Sequence, residues 1–127
     1  MKLEFLESGS PDCPLIRIYG FDIPAALRLM ALFRALADGS QQHIRLHHQL
    51  GVEGIQGCQL DLALGDRDLG IKQTSPTTFE CVLTSEGWAE VADLAEPFCE
   101  AGDGRKRYQW LNEDGTVSLL LSPTGGW

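Results

Sequence analysis

A chain of 127 residues has the usual size of one globular domain and can bury a core without disulfides or metal. With 43% hydrophobic and 22% charged residues, its composition argues against disordered and fibrous classes. A formal net charge of -8 argues against nucleic acid and anionic membrane as partners, because cationic side chains supply most phosphate affinity.

In chain order, Met1 to Glu7 interrupts its apolar residues with acids and has no secretory hydrophobic region. Residues 7–14, Glu-Ser-Gly-Ser-Pro-Asp-Cys-Pro, have loop composition. Residues 1–14 are therefore expected to form a loose N-terminal arm, with the fold proper starting near Leu15. The apolar run Leu15 to Tyr19 predicts a strand. Asp22 then caps a helix over about residues 23–38, with Pro24 in the first turn, where a missing N–H does no harm. Ala26, Leu29, Phe33 and Leu36 form one stripe of that helix, Met30 and Leu32 widen it, and Leu27 falls on the far side near Arg34. The apolar arc exceeds the roughly 100° of an ordinary surface helix. Either two sides are covered within the chain or one meets another subunit. Interrupted by Pro24, Arg28 and Arg34, the segment is shorter than the roughly 20 residues a membrane span needs. A soluble, cytoplasmic protein is the expectation.

His43 to His48 reads as a strand with His43, Arg45 and His47 on one face, and the loop after it carries Gly51, Gly54 and Gly57 for conformational freedom. Cys58 to Leu64 alternates with period two and buries Leu60, Leu62 and Leu64. The turn Gly65 to Asp68 leads into a shorter strand ending near Gln73, followed by a strand at about Phe79 to Thr84. A second helix over about 85–98 begins at Ser85 as N-cap. Its core face is Trp88, Val91, Leu94, Ala95 and Phe98, and its wet face Glu90, Asp93, Glu96 and Glu100. Pro97 cannot donate to the Asp93 carbonyl and ends or kinks that helix near Glu96. Tyr108 to Asn112, a turn at Glu113-Asp114-Gly115, and Thr116 to Ser122 form a closing hairpin. The terminal Trp127 is expected to pack back on the protein. Cys13, Cys58, Cys81 and Cys99 form no C-x-x-C pair and are expected as buried thiols rather than disulfides.

An offset of about 64 residues superimposes this pattern on itself. Leu15 to Tyr19 answers to Phe79 to Leu83, and the helices end in Ala37-Asp38-Gly39 and Ala101-Gly102-Asp103-Gly104. His43 to His48 answers to Arg107 to Asn112, and each is followed by a leucine-rich alternating run, Cys58 to Leu64 and Thr116 to Leu121. A tandem strand, helix, strand, strand pseudo-repeat, with halves at about 15–75 and 78–127, predicts a two-layer α+β fold: a largely antiparallel sheet covered on one face by two helices. In element order the two units resemble the tandem βαβββ units of the vicinal oxygen chelate enzymes. That family's closing hairpin often reads like Asp-Pro-Asp-Gly-Asn before a metal-binding Glu. The matching stretch here is Asn112-Glu113-Asp114-Gly115-Thr116, and Leu119 stands where the carboxylate belongs. The second unit also lacks a strand. The resemblance therefore implies an architecture without that family's metal chemistry.

Chemistry-bearing residues are sparse. His43 and His47 are ligand-binding candidates on one strand face, with Glu80 nearby, but Arg45 between the histidines repels a cation and no third ligand is fixed by spacing. Asp66-Arg67-Asp68-Leu69-Gly70 places its glycine one position early for a calcium loop, and Thr77 falls where the bidentate Glu belongs. The glycine loop precedes a strand, whereas phosphate cradling uses a helix N-terminus. No catalytic elbow, Walker loop or zinc-protease helix occurs, and neither cofactor nor metal is expected. Leu27 and Leu32 are interface candidates. The favoured reading is a non-catalytic binding or assembly protein, a homodimer with room for a protein partner or small ligand. The alternative is a small-molecule-binding or metal-assisted enzyme with a groove near His43 and His47.

Overall fold

The computed structural model describes residues 1–100 and 107–127. The small-residue helix end expected at 101–104 lies outside the described residues. Strands β1 (Lys2–Leu6) and β2 (Leu15–Tyr19) precede helix α1 (Ile23–Ala37); β3 (His43–Arg45), β4 (Glu53–Gly54), β5 (Gln59–Leu64), β6 (Gly70–Gln73) and β7 (Thr78–Leu83) follow. Helix α2 (Ser85–Ala95) and strands β8 (Gln109–Asn112) and β9 (Ser118–Ser122) complete the order.

The α+β class holds, but one largely antiparallel sheet does not describe the strands. They form a five-stranded sheet in the order β4-β1-β2-β9-β8 and a four-stranded sheet in the order β3-β5-β7-β6. Both are mixed. The hairpin pairs β1–β2, β6–β7 and β8–β9 are antiparallel, as is β3–β5. By contrast β1–β4, β2–β9 and β5–β7 are parallel. Parallel partners are joined by long connections, and period-two patterning marks an inward face without naming a neighbour. That is why the pairing sense was not readable from alternation.

The expected loose arm is a second correction. Lys2–Leu6 pairs along its whole length with β2, and Leu3 is completely buried. Charged Lys2 and Glu4 at alternate positions mark a strand with one wet face, so only residues 7–14 remain a loop. On the wet face Glu4 Oε1 accepts from Arg17 Nη2 at 2.6 Å, and the Arg17 guanidinium lies over the Tyr19 ring at 4.1 Å. Arg17 Nη1 also donates to the Gly125 carbonyl at 2.8 Å, and the Trp127 indole N–H donates to Asp12 at 3.0 Å. The tail thus returns over this face, as expected of Trp127.

The inward rows are apolar. Leu3, Ile18 and Leu121 lie side by side across the first sheet, and Ile44, Leu62, Cys81 and Ile71 across the second. These rows and the inner faces of both helices form one contiguous cluster. Phe5 and Phe79 join the two sheets, their ring centroids 4.6 Å apart. Phe33 of α1 stacks on Trp88 of α2 at 5.9 Å, and the Trp88 indole N–H donates to the Ala63 carbonyl at 2.9 Å. Such ring pairs contribute about 0.5–1.5 kcal/mol beyond area burial.

The helix signals hold with small shifts. Asp22 caps α1 by accepting from the Ala25 N–H. The α2 N-cap is Thr84 rather than Ser85, its hydroxyl accepting from the Gly87 N–H, because Ser85 Oγ turns away to donate to the Ala37 carbonyl of α1. Helix α2 gives way at Glu96 to a short 3-10 turn, Glu96–Cys99, containing Pro97. No helix among the described residues is long and apolar enough to cross a membrane.

Candidate functional site

The strand expected at residues 43–48 stops at Arg45 and continues as a 3-10 turn, Leu46–His48. Its two candidate histidines therefore do not share a strand face. His47 Nδ1 accepts the Leu60 N–H at 3.1 Å, supplying β5 with the partner that a longer β3 would have provided. Burial, the largest cause, holds the His47 pKa below its ordinary 6.5. Its ring lies 4.4 Å from that of exposed His48. His47 is thus an edge cap in neutral form.

His43 and Glu80 are exposed on the second sheet and separated by β5. Two interstrand spacings put their strands roughly 10 Å apart, beyond direct proton-transfer reach. Between them Asp61 Oδ2 lies 3.7 Å from His43 Nε2, while Asp61 Oδ1 is shielded and has no hydrogen-bond partner among the described residues. Arg45, Asp61, Glu80 and Lys72 occupy one row across the sheet, two cations flanking two anions. The row compensates its own charge. His43, His47 and Glu80 line none of the three concavities described below. Among the described residues no group of three His, Cys, Asp or Glu side chains is placed to hold a metal ion. Leu119, at the position where the resemblance would need a carboxylate, is completely buried.

The interface candidates are placed differently. Leu27 is 47% exposed, and Leu32 is half-buried at the edge of an apolar groove of about 270 Å³. Leu29, Leu46 and Val52 form its walls, Arg28 stands at it, and Leu50 is 92% exposed beside it. Among the described residues no acid lines this groove, and α1 contains none. Leu50 was overlooked in the sequence, where a leucine next to Gly51 in a polar loop was the available signal.

A larger, open cleft of about 760 Å³ lies between the end of β1, the turn at Gln56 and the β6–β7 turn, with polar side chains above Phe5 and Leu6. Gln56 has φ 53 and ψ 34, a left-handed conformation that costs a side-chain-bearing residue roughly 1–2 kcal/mol. Gly57 beside it has φ 77, and a Cβ at Gly54 would collide with the Cys58 carbonyl. The Gly54-Ile55-Gln56-Gly57 run carried this signal. A third hollow of about 250 Å³ places Trp110 among Asp68, Glu90, Glu113 and Asp114. Asp68 Oδ1 is engaged there by the Thr84 backbone N–H and hydroxyl, and Asp114 by Asn112.

Cys13, Cys58 and Cys81 form no disulfide among the described residues. Burial is the largest cause pushing Cys58 up to about 11 and Cys81 up to about 12, so neither presents a thiolate nucleophile at neutral pH.

Neither protein-family models, nor curated proteins, nor solved structures give a significant match to this chain. Its function is therefore argued from its own surfaces.

Proposed function

We propose that this chain is a non-catalytic assembly protein that associates with a second copy of itself through the outer face of α1 and the adjoining Gln49–Val52 loop. The carrying observation is Leu50, 92% exposed next to a groove edged by Leu32 and a few residues from exposed Leu27 and Ala31. Scattered exposed leucines are ordinary, whereas contiguous apolar surface marks association. A second copy is the favoured occupant because an apolar patch is complementary to itself under twofold symmetry. Charge supports the same choice. In a molecule of net charge -8, the outer face of α1 has no acid, so like-charge repulsion is least there; α2 by contrast exposes Glu86, Glu90 and Asp93. The enzyme reading near His43 and His47 finds less support, since one histidine caps a strand edge and the other lies 3.7 Å from Asp61, whose carboxylate already belongs to a charge-compensated row.

We further infer that the chain is built from two related units. The pairings β1-β2-β9-β8 and β6-β7-β5-β3 run through the same succession of antiparallel, parallel and antiparallel neighbours. On this reading, residues 46–58 are an insertion in the first unit, facing a short turn at 113–117 in the second. Leu50 and Val52 of the groove and Gln56 of the cleft all belong to it. Loops that break a repeat are favoured places for binding residues.

Multi-angle light scattering at micromolar concentration tests the assembly. The expected mass is twice 13.9 kDa. Leu50→Glu is expected to return it to 13.9 kDa without loss of secondary structure, since the side chain is almost fully exposed. A monomeric wild-type protein, or a dimer indifferent to both Leu50→Glu and Leu27→Glu, would overturn the reading.

A further inference from the structure

We propose that the cleft between the end of β1 and the β6–β7 turn binds a neutral polyhydroxylated ligand, a saccharide or polyol. The proposal is independent of self-association, which uses a different surface. At about 760 Å³ the cleft lies within the roughly 300–1,000 Å³ of small-molecule sites.

Its lining selects the chemistry. Among the described residues no lysine, arginine or histidine lines it, so a phosphate or carboxylate would find no counter-charge there. Glu7 is its only acid among the described residues, too little for a multivalent cation. What remains are amides and hydroxyls, groups that match the donor and acceptor pairs of sugar hydroxyls.

The two sides of the cleft are complementary in role. On the β6–β7 turn, Gln73 Nε2 donates to the Pro76 carbonyl at 3.3 Å and Thr74 Oγ1 to the Thr78 carbonyl at 3.2 Å. With one Gln73 N–H and the Thr74 hydroxyl hydrogen engaged, the Gln73 amide oxygen and the Thr74 hydroxyl oxygen are held as acceptors, and the second Gln73 N–H remains a donor. Across the cleft, the Gln56 amide and the Ser8 hydroxyl make no side-chain hydrogen bond among the described residues and are available to donate. Phe5, Leu6 and Pro76 add apolar surface of the kind that C–H faces of a pyranose cover.

Gln56 is the pivotal residue. A side chain stands there on a left-handed backbone that glycine would adopt without strain. That conformation brings an amide to a cleft otherwise furnished from β1 and the β6–β7 turn.

The test is an amide-resolved NMR titration with glucose, galactose, mannose and maltose to about 20 mM, well above a millimolar dissociation constant, alongside a printed array of neutral oligosaccharides. Inorganic phosphate and putrescine serve as charged probes. Saturable shifts at Phe5, Gln56 and Thr74 are expected. Response to the free sugars assigns the site to small saccharides, and response only to array oligosaccharides assigns it to glycan chains. Gln56→Gly is expected to weaken binding about fivefold, the loss of one neutral hydrogen bond, while raising the thermal midpoint by relieving strain. Gln56→Asn, which tolerates the left-handed backbone and keeps an amide, is expected to retain part of the affinity. Failure of every neutral saccharide in both formats, preferential binding of phosphate or putrescine, or affinity unchanged in Gln56→Gly would overturn the proposal.

Discussion

At the residue scale His47 shows how an apparent acid–base group becomes a structural one. A strand edge leaves backbone donors unpaired, and β3 is too short to reach Leu60, so the His47 Nδ1 lone pair takes that N–H. Protonating Nδ1 gives up the Leu60 N–H, the Leu60 carbonyl 3.4 Å away accepts from the new N–H instead, and burial, the larger effect, still disfavours the charged ring. The folded pKa lies below the ordinary 6.5, so the unfolded chain takes the proton more readily. The stability this provides is complete above 6.5 and is lost as pH falls through the lower, folded value. His47→Ala is expected to destabilise the protein by about 1 kcal/mol at neutral pH, the usual worth of one hydrogen bond, and by less near pH 5. Urea unfolding of both proteins across that range measures the gap. A gap that does not narrow on acidification would refute the edge-cap role.

At the element scale, the helices and inward rows were legible and the pairing of strands was not. Asp22, Pro24 and Pro97 act within one turn of where they stand in the chain, so their capping and breaking roles could be read directly. Leu60 and Leu62 announce an inward face by alternation alone. Leu15 beside Ser118, by contrast, is a parallel pairing across almost the whole chain, which no local period encodes. The histidine reading failed because Ile44 and Leu46 are both buried, as in a strand, although the backbone has turned by Leu46. Leu27 and Leu32 were visible as excess apolar width on α1, while the loop that places Leu50 beside Leu32 depends on long-range packing. Another long-range feature is the approach of β6 to the β8–β9 turn. Ile71 bridges to Val117, and a Cβ on Gly115 would collide with the Ile71 backbone. Gly115→Ala is therefore expected to cost about 1–3 kcal/mol, the range for forced overpacking, seen as a lower urea midpoint. A neutral effect would mean that this turn can move away from β6 freely.

At the scale of the whole molecule, net charge and the acid-free face of α1 act in opposite directions on self-association. Two bodies each carrying a formal -8 repel at long range, whereas the proposed contact is made by leucines and alanines with no acid on either copy's α1. Burying a leucine side chain contributes roughly 1.5–3 kcal/mol, so Leu27, Leu32 and Leu50 from two copies supply an interface of modest strength. Added salt shortens the screening length from about 10 Å at 0.1 M to about 3 Å at 1 M, which weakens the repulsion and leaves apolar burial in place. Sedimentation equilibrium is therefore expected to give a dimer that tightens as sodium chloride rises from about 0.05 to 0.5 M. The alternative geometry sets Arg28 of one copy against the acidic face of α2 on the other, since Arg34 already pairs with Asp93 of its own α2 at 2.7 Å. Such a head-to-tail contact would weaken over the same range and would extend beyond a dimer, because each copy would leave both surfaces open at the ends. Salt-weakened association, or growth past two subunits, would transfer the interface from the leucines of α1 to the charges of α2.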